Sequence, residues 1–115
     1  MHSERFHLSE GAALAISSAK RKIAVGTTVT RVLEHLSLES MNGIKSASGQ
    51  TNIFIYPSHK FLGTDALLTN FHLPKSTLFM LVCALAGTDL MKEAYKKAVL
   101  EKFRFFSYGD CCLII

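Results

Sequence analysis

Polar residues suited to binding or proton transfer follow the apolar runs of this 115-residue sequence. Gly26-Thr27-Thr28 separates the apolar run Ile23–Val25 from a helical pattern. Glycine lets a ligand approach the backbone, and the N–H groups at a helix start attract anions. Arg31 lies one turn further along and can pair with a carboxylate or a phosphate. An ordinary capping turn with a surface arginine explains the same residues, so both interpretations stay open.

Two later turns carry further chemistry. Asn70 can orient a polar ligand, and His72 can exchange a proton near neutral pH. Asn70 could equally satisfy the turn backbone while His72 packs or caps. Tyr108 and Asp110 flank a glycine, so they place a phenol and a carboxylate either in a cleft or in a plain turn.

The N-terminus holds His2 and Glu4, which are either functional or part of a flexible chain start. The cysteine and histidine spacings match no zinc pattern, and the glycine turn is neither GxGxxG nor a P-loop. We therefore expect no metal and no permanently bound cofactor. The cysteines lie in apolar runs, which indicates reduced thiols and a reducing compartment.

Charge and hydropathy narrow the class of protein. The net charge of +4 and the pI of about 9.1 suit an RNA partner without requiring one. The longest apolar run, Leu78–Ala86, is far too short to cross a bilayer. A cytoplasmic protein that does not bind membranes is expected.

The elements that must position these residues alternate along the chain. Helical patterns follow Ser9, Thr27-Thr28 and Pro74, and another covers Leu90–Glu101, while residues 37–49 are loop-like. Strand patterns occupy Arg5–Leu8, Ile23–Val25, Thr51–Tyr56, Ala66–Thr69 and Cys111–Ile115. This order predicts an α/β fold: a layered, mostly parallel sheet flanked by helices. Sites in such sheets form at the carboxyl ends of the strands.

Several of these turns belong to longer strings. In chain order they are MHSE from Met1, VGTTVTR from Val25, TNIFIYP from Thr51, LLTNFHLPKSTL from Leu67 and FRFFSYGDCCLI from Phe103. Together they resemble the closing segments of the S-adenosylmethionine:tRNA ribosyltransferase-isomerase family of queuosine biosynthesis. The departures are Ser58, where the family usually has glycine, Asn52, the pair Cys111-Cys112, and a divergent segment 36–49.

The resemblance implies an enzyme that transfers and isomerises the ribosyl group of S-adenosylmethionine onto 7-aminomethyl-7-deazaguanine in tRNA. The products are epoxyqueuosine-tRNA, adenine and methionine, so S-adenosylmethionine is consumed as the ribosyl donor. Proteins of the family are several-fold longer and add a β-barrel domain. Residues 1–115 are then expected to be the C-terminal portion of the α/β domain, without the barrel. Met1 matches an internal methionine, and the missing N-terminal part is a candidate partner.

Roles follow from the resemblance and from the strand-end positions. His2, Glu4 and His72 are candidates for proton transfer. Gly26, Thr27, Thr28 and Arg31 are expected to contact the anionic end of the donor or a phosphate, and Asn70, Tyr108 and Asp110 to hold ribose or base edges. An inactive remnant, or an RNA-binding or structural fragment, is the alternative, and an unrelated α/β binding module is a third.

Overall fold

A computed structural model describes residues 2–39 and 43–115, so Met1 of the MHSE string lies outside the described residues. The elements alternate much as the sequence predicts. In chain order they are β1 (Glu4–Leu8), α1 (Glu10–Ser18), β2 (Ile23–Val25), α2 (Thr27–Glu39), β3 (Ala47–Thr51), β4 (Ala66–Asn70), α3 (Thr77–Ala86), α4 (Thr88–Leu100) and β5 (Cys111–Ile114).

The expectation of a mostly parallel sheet is wrong. Within residues 2–39 and 43–115, β1 pairs antiparallel with β3, and a second sheet has the order β2-β4-β5. In that sheet β2–β4 is parallel and β4–β5 is antiparallel. Helices α3 and α4 follow β4 in the sequence and precede β5, and they pack against each other. The second helix returns the chain to the end of β4, where Asn70 pairs with Cys111, so β5 runs backwards.

Some predicted boundaries also differ. The strand predicted at Thr51–Tyr56 lies earlier, at Ala47–Thr51, and takes in the end of the predicted 37–49 loop. The apolar residues that follow Thr51 alternate because some of them are buried, although they pair with no strand. Ile55, for example, is fully buried and lies outside any strand. Helix α3 begins at Thr77 and not at Pro74. Its N-cap is Ser76, whose hydroxyl accepts a hydrogen bond from the Phe79 N–H at 3.1 Å.

The core lies between the β2-β4-β5 sheet and the α3–α4 pair. Phe71, directly after β4, packs its ring against the rings of Tyr95, Phe103 and Phe105. Leu67 and Leu81 are fully buried beside this aromatic cluster. Burying such large rings fixes the end of β4 and the turn that follows it. Among the described residues, no helix combines the length and apolarity needed to span a bilayer.

Candidate functional site

A cleft of about 410 Å³ opens where β2 and β4 end side by side. Parallel pairing of these strands brings the two strand-to-turn segments together, as the strand-end rule expects. The first segment contributes Gly26, Thr27 and Thr28, and the second contributes Asn70 and His72. Val25, Leu68, Thr69 and Cys111 complete the lining.

Gly26 sets the turn from β2 into α2. Its φ of +96° lies in a region that residues other than glycine rarely adopt. The Gly26 N–H donates to the Leu68 carbonyl at 2.8 Å, which extends the β2–β4 ladder to the rim of the cleft. The Gly26 carbonyl accepts from the Thr30 N–H and hydroxyl, which fixes the first turn of α2. The backbone at this rim is therefore held rigidly in place.

His72 is held in the cleft wall by two neighbours. Its Nε2 lies 3.1 Å from the Thr69 hydroxyl, and its backbone N–H donates to the Tyr95 hydroxyl at 3.0 Å. Burial lowers the pKa of His72 below its usual value, so its imidazole is neutral at pH 7. Burial also raises the pKa of Tyr95 to about 12, which keeps its phenol protonated. A neutral imidazole in fixed orientation can accept a proton.

Glu4 and Arg31 form an ion pair behind the Thr28 side of the cleft. Arg31 is almost fully buried; its Nη1 lies 3.2 Å from Glu4 Oε1, and its Nε and Nη2 donate to the Ile53 carbonyl. The same Glu4 oxygen accepts from the Thr28 hydroxyl at 3.2 Å. Because these bonds engage each of its guanidinium nitrogens, Arg31 orients Glu4 and Thr28 and does not face the cleft. Its predicted contact with the donor or a phosphate remains untested.

Asp110 closes a turn of its own. Hydrogen bonds from the Arg104 backbone N–H and guanidinium lower the pKa of Asp110, and the guanidinium also lies against Gly109. Tyr108, at the tip of this turn, has 70% of its surface exposed. Neither Tyr108 nor Asp110 lines the cleft, but the next residue, Cys111, does. This turn therefore stands beside the cleft, outside its wall.

The structure thus brings five predicted residues to one cleft, places Glu4 and Arg31 behind it, and leaves His2 exposed at the chain start. Sequence reasoning missed Thr69, Tyr95 and Cys111. The contact between Thr69 and His72 could have been predicted, because the two residues stand three positions apart at the end of one predicted strand. The Tyr95 hydroxyl reaches His72 from α4, and Cys111 reaches the cleft through its pairing with Asn70, so neither contact has a local signature.

A larger cavity of about 580 Å³ lies between α4 and β5, and is lined by side chains such as Leu90, Met91, Phe103 and Ile114. Its wall is mostly apolar, and among the described residues no ion pair joins the charged side chains that line it, those of Asp65, Lys97 and Glu101. Convergent polar groups mark a reactive site better than volume does. The smaller cleft is therefore the candidate site. No group of three or more His, Cys, Asp or Glu within the described ranges is placed to hold a metal.

Comparison with known proteins gives a consistent result. The chain is 52% identical to the S-adenosylmethionine:tRNA ribosyltransferase-isomerase of Syntrophus aciditrophicus, over 100% of this chain and 32% of that protein. It is 51% identical to the protein of the same name from Symbiobacterium thermophilum, over 100% of this chain and 35% of that one. The chain thus spans about a third of the length of these curated relatives.

The fold comparison agrees with the sequence comparison. The crystal structure of S-adenosylmethionine tRNA ribosyltransferase from Thermotoga maritima superposes with a TM-score of 0.89 and 42% identity, covering 96% of this chain and 40% of that one. The sequence model of the family described as "Queuosine biosynthesis protein" matches residues 1–114. The chain therefore belongs to the queuosine biosynthesis protein family.

Proposed function

We propose that this chain supplies part of the active site of an S-adenosylmethionine:tRNA ribosyltransferase-isomerase. The proposed reaction joins the ribosyl group of S-adenosylmethionine to 7-aminomethyl-7-deazaguanine in tRNA, isomerises it to epoxyqueuosine, and releases adenine and methionine. The observation that carries the proposal is the cleft at the ends of β2 and β4, where a neutral His72 lies beside the α2 N-terminus. Family membership supplies the chemistry to assign to that cleft.

The first demand of this reaction is a base for a carbon acid. Protons on the carbon next to a sulfonium are acidified, and a neutral imidazole can remove one. In the proposal Nε2–H of His72 donates to Thr69, which leaves Nδ1 as the proton acceptor. Glu4, oriented by Arg31, is proposed as a second proton-transfer group. His2 is proposed as a further proton-transfer group only because it precedes Ser3 and Glu4 in the sequence.

The second demand is binding of the donor. The N–H groups at the start of α2, around Gly26, Thr27 and Thr28, suit the methionine carboxylate of S-adenosylmethionine. Asn70, exposed at the end of β4, is proposed to hold a ribose hydroxyl or a base edge. Tyr108 and Asp110 are proposed to act from the neighbouring turn, Tyr108 on the RNA and Asp110 by shaping that turn. No cofactor beyond the consumed donor takes part in the proposal.

The proposed partners are tRNA and a polypeptide equivalent to the N-terminal part of the relatives. One face of the β2-β4-β5 sheet exposes Ile23, Val25 and Leu113. Val25 and Leu113 flank Leu68 in register, so they form a continuous apolar strip. The relatives are about three times as long as this chain. We propose that their N-terminal part supplies the segment that covers the apolar strip. Cytoplasmic localisation follows from a tRNA substrate.

Release of adenine tests the proposal. S-adenosylmethionine is incubated with the chain, with tRNA carrying the modified guanine, and with and without the N-terminal part of a relative supplied separately. We expect tRNA-dependent adenine release, and a loss on the order of 10²–10⁴-fold in His72→Gln. His35→Gln, a histidine of α2 outside the cleft, is the matched control.

Two results would contradict the proposal. One is adenine release that is unchanged in His72→Gln. The other is the absence of tRNA-dependent release even with the complementing segment, while the chain still binds tRNA. The second result would favour the alternative of a non-catalytic RNA-binding fragment.

A further inference from the structure

The turn at residues 104–110 displays aromatic rings to solvent. Tyr108 is 70% exposed and Phe106 is 45% exposed, and their ring centroids lie 6.2 Å apart in an edge-to-face arrangement. Aromatic side chains that find no place in the core, and that stand together at the surface, mark interaction sites.

The turn is built to hold this display. The Asp110 carboxylate accepts from the Arg104 N–H and guanidinium, which closes the turn. The Phe106 N–H donates to the Phe71 carbonyl at 2.9 Å, which ties the turn to the end of β4. Gly109 has a φ of +125°, which residues with a side chain rarely adopt, so glycine is favoured at this point of the turn. The rings therefore project from a fixed base.

Phe106 has a strained backbone. Its φ of 59° is rarely adopted by a bulky residue. Nearly half of this ring stays exposed, so it is not placed to fill the core. The strain instead keeps the ring beside Tyr108.

The surroundings of the turn are basic. Lys102 and Arg104 are exposed next to the rings, and residues 92–104 contain five Lys or Arg against two Glu. Alternating cations and flat rings are the composition that binds unpaired nucleotides, because phosphates meet the cations while bases stack on the rings. A second copy of this basic chain would meet like charge here.

We infer that Phe106 and Tyr108, with Lys102 and Arg104, form a stacking platform for unpaired RNA bases at the side of the cleft. The anchor of the turn, Phe71, lies between Asn70 and His72 in sequence, and both of these residues line the cleft. A base stacked on the platform would leave a neighbouring nucleotide within reach of the cleft. This inference rests on the proposed tRNA substrate, for which it names the RNA-contacting surface.

Binding of RNA to the full chain tests the platform. The ligand is a fluorescein-labelled RNA hairpin with an unpaired loop, compared by anisotropy with the same stem closed as a blunt duplex. We expect the hairpin to bind more tightly, and Tyr108→Leu or Phe106→Leu to weaken its binding about tenfold, the loss of one base–ring stack. Tyr108→Phe keeps the ring and is expected to bind like the parent. Tyr56→Leu, a half-exposed tyrosine outside the turn and the cleft, is the matched control.

The inference is overturned if the leucine variants bind the hairpin as the parent does, or if duplex and hairpin bind equally. It is also overturned if those variants change the sedimentation of the chain and not its RNA affinity, since the rings would then contact another copy. Adenine release reports separately on the proposed function. Ring-dependent hairpin binding without adenine release would reject the enzyme and keep the platform, and adenine release insensitive to the rings would do the opposite.

Discussion

Three described residues other than glycine lie in the left-handed region, and two of them, Ser58 and Phe106, stand in loops that fold differently; the third, Lys102, follows the end of α4. In the 57–63 loop, Ser58 has a φ of 89°, and the loop folds inward onto α2. In the 104–110 turn, Phe106 has a φ of 59°, and the turn displays rings outward. The loop that contains Ser58 is held by hydrogen bonds to Glu34 of α2, which support the strained backbone. Strain at Phe106 accompanies an exposed surface that needs an explanation.

The inward loop is anchored by a buried carboxylate. Glu34 is fully buried, and its oxygens accept from the backbone N–H groups of Leu62 and Gly63 at 2.8 and 2.7 Å. His59 Nε2 lies 3.0 Å from the same carboxylate. The outward turn is closed by the half-exposed Arg104–Asp110 pair and tied to β4 by the backbone bond from Phe106 to Phe71. The comparison therefore separates a loop held by buried hydrogen bonds from a turn that exposes its rings and that we propose binds RNA.

Glu34→Gln should give the largest effect. The amide would point its N–H₂ at a backbone N–H, so at least one buried donor loses its acceptor, and the free energy of unfolding should fall by about 2–3 kcal/mol. Urea denaturation measures it. Glu39→Gln, on the exposed end of the same helix, should cost less than about 0.5 kcal/mol. Equal effects of the two substitutions would remove the distinction between the loops.

Gly63→Ala should come next. Its Cβ would lie 2.8 Å from the Leu33 carbonyl and 2.4 Å from Ser37 Oγ, so the backbone of the loop or of α2 must shift. A loss of about 1–3 kcal/mol is expected from such overpacking, measured by thermal unfolding. Gly11→Ala meets nothing within 4 Å in α1 and should instead stabilise by about 0.5–1 kcal/mol. The same sign for both alanines would contradict the close approach of loop and helix.

Ser58→Gly should stabilise the chain by about 0.5–1 kcal/mol, because glycine adopts this φ without strain but gains entropy in the unfolded state. The midpoint of urea unfolding checks it. RNA affinity should not change, since Ser58 lies outside the platform. A destabilised Ser58→Gly would show that the serine side chain contributes to the loop.

Phe106→Gly should change stability least. Relief of the strained φ and loss of the half-buried ring each amount to about 1 kcal/mol with opposite signs, so the net change should stay within about 0.5 kcal/mol. Hairpin RNA binding should nevertheless weaken about tenfold. A large loss of stability would show that Phe106 packs as a core residue. The 104–110 turn would then stabilise the fold as the 57–63 loop does.

Local patterns made part of this structure predictable. Ser9 caps α1 as expected, and the strand-turn-helix segments around Gly26 and Asn70 lie where the apolar runs end. The cleft follows because parallel strands end at a common edge. The reversal of β5 was not predictable, since it depends on how two helices pack. The ion pair of Arg31 with Glu4 was equally unpredictable, because the two residues lie 27 positions apart and nothing local marks Arg31 as buried.

We propose that the cleft at the ends of β2 and β4 binds S-adenosylmethionine. Amide chemical shifts of the isotope-labelled chain, followed during titration with S-adenosylmethionine, report on this binding residue by residue. We expect saturable shifts at Gly26, Thr28, Asn70 and His72. Shifts confined to the apolar cavity between α4 and β5, or no saturable shifts at all, would contradict it.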